Sequence, residues 1–442
     1  MEGIIESAKY VVLGNVDAGK STFIGVMEFD QLDDGKGHSR SLTTKIKHEL
    51  ESHRTSTHSM HYIIKQNEIT TLVDLCGHEA YLKTTLFGLM GLFPDYGLFV
   101  VGANMGLSGM AVEHLGLLIS NKIPFITLIT KVDICPKNIL SETMKDLTKR
   151  AKTNKKELLV IEEEESANKQ MIVELLQSRN IDIIPVIIIS NKTGKNIKFT
   201  KDLLTNTHSP IYLSKMKGNN TIDNEETKSA ILFIDNTFNI TGIGIVLSGT
   251  LKYGSLSLGQ TIYIGPLNGS YIIATIRSIH NCIKQDITVL EKDNSGSIGI
   301  RLESKGSYTR DMFSKGQIAA TDLNFVIANT CYTFEAKVAI FNHPTTIKNN
   351  YQTIIHCRTI RQAGKFRLPD DVILRSNSKS ILTISFVTKP EFILPDTYFM
   401  FQDGHTKGMG KIIKTITYIN DKRETPSEIK RRKLNNRKKP IK

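Results

Sequence analysis

The feature that most constrains this 442-residue chain is a short stretch near its start, Gly14-Asn15-Val16-Asp17-Ala18-Gly19-Lys20-Ser21, followed by Thr22. It fits the pattern GxxxxGK[ST]. An apolar run at 8–13 precedes it and a helical pattern at 21–29 follows it, which is the strand–loop–helix context such a loop needs. Glycines at 14 and 19 let the backbone curl so that successive N–H groups face phosphate oxygens, and the helix N-terminus adds positive potential. Lys20 is placed to reach the β- and γ-phosphates, and the Ser21 hydroxyl to bind Mg²⁺.

The pattern that follows is what a phosphate loop of this kind demands. Residues 62–75 read as a hairpin ending in Asp74. Helical patterns at 79–93 and 111–120 alternate with buried-strand runs at 96–101 and 124–129. Residues 137–180 read as helical and charged, 181–190 as a further buried strand and 195–206 as a last helix. Strands alternating with helices predict a mostly parallel sheet covered on both faces. Residues 30–59 are polar, lack a hydrophobic period and read as a mobile loop.

Further candidate residues sit at the ends of these strands. Asp74 ends TTLVDL, with Gly77 three residues on and His78 next. A carboxylate there can hold a metal, and the Gly77 N–H can meet a γ-phosphate. A strand-to-helix turn with a surface histidine would look the same. Thr130-Lys131-Val132-Asp133 follows a buried strand. The Asp133 carboxylate can accept from both the N1–H and the N2–H₂ of guanine, a pair of donors adenine lacks, and the stem of Lys131 can pack on the base. Ser190-Asn191-Lys192 comes after another strand, with backbone N–H groups for the base O6. Each match is weak alone. Their order, each after a strand, makes them specific together.

From residue 230 the texture changes to short β-type runs punctuated by Gly and Asn, about ten residues apart, which predicts all-β barrels. The resulting organisation is an α/β P-loop domain at 1–215, β-barrel domains at 228–324 and 328–420, and a tail at 421–442 with few apolar residues. The net charge is +13, and the tail's ten Lys/Arg against three Asp/Glu supply +7 of it. A basic tail fits an anionic partner such as RNA or a solubilising role equally well. The five cysteines are odd in number, widely spaced and without a CxxC pair, which supports neither a disulfide framework nor a zinc site and fits a reducing, cytoplasmic compartment. No run of about 18 apolar residues calls for a membrane span.

GNVDAGKS, DLCGHE, TKVD and SNK resemble the elements of the translational GTPases of the elongation factor Tu-like superfamily. Asp17 and a histidine directly after the DxxG glycine point to that branch. RSLTTKIKHELESHRTSTHS, TKVDICPKNIL, FNHPTTIKNNYQTIIHCRTIRQ and DGHTKGMGK are similar to the GTP-binding protein 1 and 2 family. The resemblance covers roughly residues 8–418. It implies GTP as substrate, Mg²⁺ held by Ser21, a loop threonine and, through water, Asp74, and His78 orienting the attacking water. Thr55 is the threonine by position, with Thr57, Thr43 and Thr44 as competitors. Asp17 is a candidate for holding a monovalent cation.

The resemblance also implies ribosome and tRNA as partners and a monomer. Thr130 stands where the wider class has Asn, a side chain that ties the base loop to the phosphate loop, so weaker nucleotide affinity is expected. Arg40 and Arg54 fall in the 30–59 loop, where phosphate or RNA contact is their simpler reading. With no arginine evident to complete the site in cis, slow intrinsic hydrolysis is expected. His53, His58, His61, Lys45 and Lys47 give that loop a basic surface suited to RNA, and Arg358, Arg361, Lys365 and Arg367 cluster in the second β region. Two other readings are a switch acting on a protein partner and a non-catalytic RNA-binding module.

Overall fold

A computed structural model describes residues 5–43, 55, 57–107, 109–161, 166–210, 212–213, 229–303, 312–342, 345–368, 373–376, 378–403 and 406–417. Lys45, Lys47, His53, Arg54, Thr44 and the 421–442 tail lie outside the described residues.

The first domain is a seven-stranded sheet in the order β2-β3-β1-β4-β5-β7-β6. Its strands are β1 (Ile5–Gly14), β2 (Ser59–Lys65), β3 (Glu68–Asp74), β4 (Tyr96–Gly102), β5 (Phe125–Thr130), β6 (Glu157–Ile161) and β7 (Ile183–Ile188). All neighbours are parallel except β2, which returns antiparallel on β3. Burial follows position. Central β4 is buried throughout and almost continuously apolar. Central β1 is buried from Ser7 onward and apolar over 10–13, with the buried Ser7 and Lys9 side chains donating to the Ile69 and Leu92 carbonyls. Outer β2 instead alternates, with His61 and Ile63 inward and Ile64 out. Helices α1 (Lys20–Phe29), α2 (His38–Thr43), α3 (Leu82–Gly91), α4 (Met110–Ser120), α5 (Lys137–Thr153), α6 (Ser166–Gln177) and α7 (Ile197–Asn206) cover the sheet. In α5, Thr143, Leu147 and Ala151 recur every four residues and make its one buried stripe.

Two readings of this region change. Residues 137–180 are not all helical, because β6 runs from Glu157 to Ile161 between α5 and α6. As the sheet's edge strand, half exposed, it lacks the apolar run that marks its buried neighbours. The 30–59 segment is not loop throughout. Asp34 Oδ1 accepts the N–H groups of Lys36 and His38, Asp33 Oδ1 accepts that of Ser39, and α2 follows. A Cβ on Gly25 of α1 would stand 2.1 Å from the Ser39 carbonyl oxygen, so α2 packs on α1 where only glycine fits.

Two closed antiparallel β-barrels follow. In the first, Ile231–Ile240 and Gly244–Tyr253 form a hairpin, and Ser295–Leu302 pairs with the latter strand. In the second, Thr330–Asn342 pairs with Lys379–Phe386 and with Thr406–Thr417. Pairings through Ile360–Arg367, Gln352–Cys357 and Tyr398–Asp403 close the ring. By compactness the chain divides into two units, Met1–Thr261 with Thr275–Lys315, and Ile262–Ala274 with Gly316–Lys442.

Candidate functional site

The C-terminal ends of β1, β3, β5 and β7 lead directly into the four sequence elements singled out above. This is the edge at which an open α/β sheet accepts ligands. A cavity of about 540 Å³ opens there, and Val16, Asp17, Gly19, Lys20, Ser21 and Thr22 line one wall. Gly77, His78, Thr55 and Lys131 line others.

The phosphate loop is held from below. Gly14 has φ +154°, and a Cβ on it would meet the Val100 carbonyl oxygen at 2.1 Å. Asn15 Oδ1 accepts the Val16 N–H at 2.9 Å, and its backbone oxygen accepts that of Ala18 at 3.4 Å. Asp17 and Gly19 are left-handed, and Asp17 is exposed at the cavity wall. Lys20 is only 6% exposed, and its Nζ donates to the backbone oxygens of Asn15 (2.8 Å) and Gly14 (3.2 Å). Burial pushes its pKa down and Arg40 adds to that, while Asp74 and Cys76 oppose. A Cβ on Gly77 would lie 2.9 Å from both the Asn15 carbonyl carbon and the Gly14 carbonyl oxygen, so the close approach of this turn to the phosphate-loop backbone favours glycine.

Three oxygen-bearing side chains converge beside it. Ser21 Oγ donates to Asp74 Oδ2 at 2.6 Å, and Thr55 Oγ1 lies 3.4 Å from Ser21 Oγ and 3.5 Å from Asp74 Oδ2. Asp74 is 3% exposed, and its other oxygen, Oδ1, is buried without a hydrogen-bond partner among the described residues. Hard oxygen donors around an unsatisfied carboxylate oxygen fit a single Mg²⁺ that takes further ligands from phosphate. Among the described residues no cluster of three His, Cys, Asp or Glu offers a different metal site. Of the competing threonines, Thr43 turns its hydroxyl to the Arg40 carbonyl at 2.8 Å, inside α2.

His78 lies on the cavity wall, half exposed, and its Nδ1 accepts the Ala80 N–H at 3.1 Å. A neutral ring in that arrangement carries its proton on Nε2. It can therefore donate to a water or phosphate oxygen.

At the base end, Ser190 Oγ donates to Asp133 Oδ1 at 2.7 Å and accepts the Thr193 N–H at 3.1 Å. Asp133 is exposed, and Lys131 adopts a left-handed φ of 61°. A Cβ on Gly19 would lie 3.5 Å from Thr130 Oγ1 and 3.7 Å from Asn191 Nδ2, so the phosphate loop and both base loops meet there. The expectation that Thr130 loses the tie to the phosphate loop is corrected. Its hydroxyl donates to the Ala18 carbonyl at 2.6 Å, because the end of β5 is close enough for a short side chain to span. The Lys192 side chain lies against Gly35, and the Asp33 N–H donates to the Asn191 carbonyl at 2.9 Å.

Sequence reading missed His114 on α4. It is fully buried, and its Nδ1 accepts the Gly14 N–H at 3.1 Å. Burial, then the nearby Lys20 charge, lowers its pKa to about 3, so the ring is neutral. The only available signal was a histidine on the inward face of an apolar helix, a pattern with many other causes.

The basic clusters also change. His61 is 3% exposed, bonded to Glu28 at 2.7 Å and to Ser59 at 2.9 Å. The His58 ring packs at a tilt against Phe87, 5.5 Å between centroids, and burial lowers its pKa to about 4. Neither belongs to an open basic surface. In the second barrel, Arg361, Lys365 and Arg367 share the outward face of Ile360–Arg367, whereas Arg358 sits in the preceding turn with its Nη2 3.4 Å from Thr397 Oγ1.

A phosphate loop at a sheet's C-terminal edge, a base loop with an aspartate, and two β-barrels that follow in the chain are the features of the GTP-binding translation-factor class. Residues 6–239 match the elongation factor Tu GTP binding domain, and the chain belongs to that family. It is similar to GTP-binding protein 1 of Xenopus laevis, 32% identical over 93% of this chain and 64% of the relative, so it spans about two thirds of that relative's length. The fold resembles the GTPase-like domain of Ski7 from S. cerevisiae bound to GTP, with a TM-score of 0.69, 15% identity and coverage of 92% of this chain and 97% of that one. It also resembles translation elongation factor SelB from Methanococcus maripaludis with the GTP analogue GPPNHP, with a TM-score of 0.64, 17% identity and coverage of 93% and 80%.

Proposed function

We propose that this protein binds and hydrolyses GTP as a switch that acts with ribosomes and tRNA in translation, ribosome rescue or mRNA surveillance. The observation that carries the hydrolytic part is the convergence of Ser21, Thr55 and the half-satisfied Asp74 beside Lys20 and His78. When bound there, Mg²⁺ supplies charge neutralisation on the β- and γ-phosphate oxygens. Lys20 binds the same oxygens, and the backbone N–H groups of residues 15–21 orient the phosphate chain. His78 Nε2–H orients the attacking water, and the proton lost by that water passes to a γ-phosphate oxygen. Asp133 selects guanine with Lys131, Thr130, Ser190, Asn191 and Lys192 holding the base loop.

The tRNA part has its own support. A cleft of about 450 Å³ lies between β2 and the first barrel, lined by Met60, Tyr62, Phe238, Ile243 and Val246 with His280 and Lys284 beside them. An apolar floor with basic groups nearby suits an acyl group carried on a nucleotide end. Arg361, Lys365 and Arg367 on one outward strand face suit an RNA backbone.

The test is GTP hydrolysis with and without 80S ribosomes, beside Lys20→Ala and His78→Ala. Stimulation of roughly a hundredfold, about 2.7 kcal/mol off the barrier, that disappears in both variants is the expected result. Ribosomes without effect on a protein that binds GTP would sink the translational reading and favour a protein activator.

A further inference from the structure

The sequence places Arg40 in a loop, with phosphate or RNA contact as its simpler reading. The structure places it on α2, which is held on several sides. Asp33 and Asp34 cap its N-terminal residues, and Ser39 packs against Gly25 of α1, the helix that begins at Lys20. The Asp33 N–H is tied to the Asn191 carbonyl of the base loop. The segment that carries Arg40 is thus tied to the base loop through Asp33 and packed on the helix that follows the phosphate loop. Arg40 lines the same cavity as Lys20, Ser21, Thr55, Gly77 and His78.

A guanidinium in that wall differs from a second lysine. It stays charged, is planar, and offers paired donors that match two phosphate oxygens at once. We propose that Arg40 is a catalytic arginine supplied in cis, binding the phosphate chain of GTP and neutralising the charge that builds up during hydrolysis. The inference rests on the GTPase reading of this site. In the reaction a water oxygen bonds to the γ-phosphorus and the bond from that phosphorus to the β–γ bridging oxygen breaks. The electron pair stays on that oxygen as part of GDP, and the water proton ends on inorganic phosphate. Charge rises on the bridging oxygen and the β-phosphate, where a guanidinium acts most strongly. The chain then carries its own charge-neutralising arginine, and an activator need only fix His78 and the water.

The experiment is single-turnover hydrolysis of GTP with Mg²⁺ and no ribosomes, comparing the native protein with Arg40→Ala, Arg40→Lys and Arg40→Gln. Fluorescent GDP binding is measured on each to confirm an intact fold. The expected result for Arg40→Ala is a rate lower by roughly a hundredfold with GDP affinity held within about threefold, and partial recovery in Arg40→Lys. A second readout is capture of GDP with aluminium fluoride, a mimic of the transferring phosphoryl group, in the absence of any activator. The native protein should form that complex and Arg40→Ala and Arg40→Gln should not. An Arg40→Ala rate within twofold of native, or an undiminished aluminium fluoride complex, overturns the proposal. A native protein that binds no GTP overturns the reading of the site itself, which separates the two failures.

Discussion

At the phosphate end of the cavity Lys20 is 6% exposed, Asp74 is 3% exposed and Gly14 is packed against the Val100 carbonyl. At the base end Asp133 is exposed and positioned by one hydrogen bond from Ser190. The difference follows from what each end must recognise. Phosphate is identified by charge, and charge is felt most where water is excluded and the donors are immobile. A base is identified by the edge it presents, and a carboxylate that accepts from two donors discriminates without being deeply buried. One end spends packing on rigidity, and the other relies on stereochemistry.

The comparison breaks most visibly if a residue at the buried end grows. Gly14→Ala places a Cβ in the Val100 carbonyl at a φ that L-residues rarely adopt. Strain and displaced backbone together cost on the order of 3 kcal/mol or more. We expect nucleotide binding to become undetectable by fluorescent GDP titration, with a clear fall in melting temperature. Wild-type affinity in this variant would mean the loop root is not rigid.

The next effect is at the base end and should change selectivity with little effect on stability. Asp133→Asn loses the double acceptor for guanine and gains a donor suited to the O2 of xanthine. GTP affinity should fall by roughly a hundredfold and xanthosine triphosphate should be preferred, with melting temperature unchanged. An equal loss for both nucleotides would show that Asp133 does not read the base.

His114 tests whether the buried end depends on neutral anchors. His114→Leu leaves the Gly14 N–H buried and unpaired, and GDP affinity should fall about tenfold. In His114→Asn the amide oxygen replaces Nδ1, so most of the affinity should return. The pH dependence has a defined sign. A pKa lowered from 6.5 to about 3 means that the unfolded chain binds a proton the folded one refuses. The stability this group provides is complete above about pH 6.5 and declines as pH falls toward 3. Denaturation of the native protein should show that slope, and the Asn variant should show less of it.

The smallest effect separates the two ends at their junction. Thr130→Val removes the hydroxyl donated to Ala18 while keeping shape, at a cost of about 1 kcal/mol. Isothermal titration should show a several-fold loss for GDP and GTP alike. A loss confined to one of them would place Thr130 with the γ-phosphate and not with the loop junction.

Most of the first domain's order was legible because a strand buried on both faces is dominated by apolar residues, as 96–102 and 125–130 are. β6 was not, since an edge strand has only one neighbour and half its side chains meet water. Ile360–Arg367 is hard to read as a strand for a related reason: its outward face carries Arg361, Lys365 and Arg367, and the buried glutamine and glycine between them hide the alternation. The phosphate loop was readable because glycine spacing and a lysine are local requirements of one short segment. His114 was not, because its partner lies 100 residues away and nothing local to α4 requires a histidine.

The sequence alone therefore determined which segment forms a phosphate-type loop, which aspartate stands in the proposed base loop, and that barrels follow an α/β domain. These depend on residue type at short spacing and on hydrophobic period. Tertiary structure alone decided that Thr55 approaches Ser21 and Asp74, that Thr130 still reaches the phosphate loop, that His61 is buried against Glu28, and that Arg40 and Lys20 line one cavity. Each of those joins residues far apart in the chain, and their separation in space is set by how helices and strands pack, which no local pattern encodes.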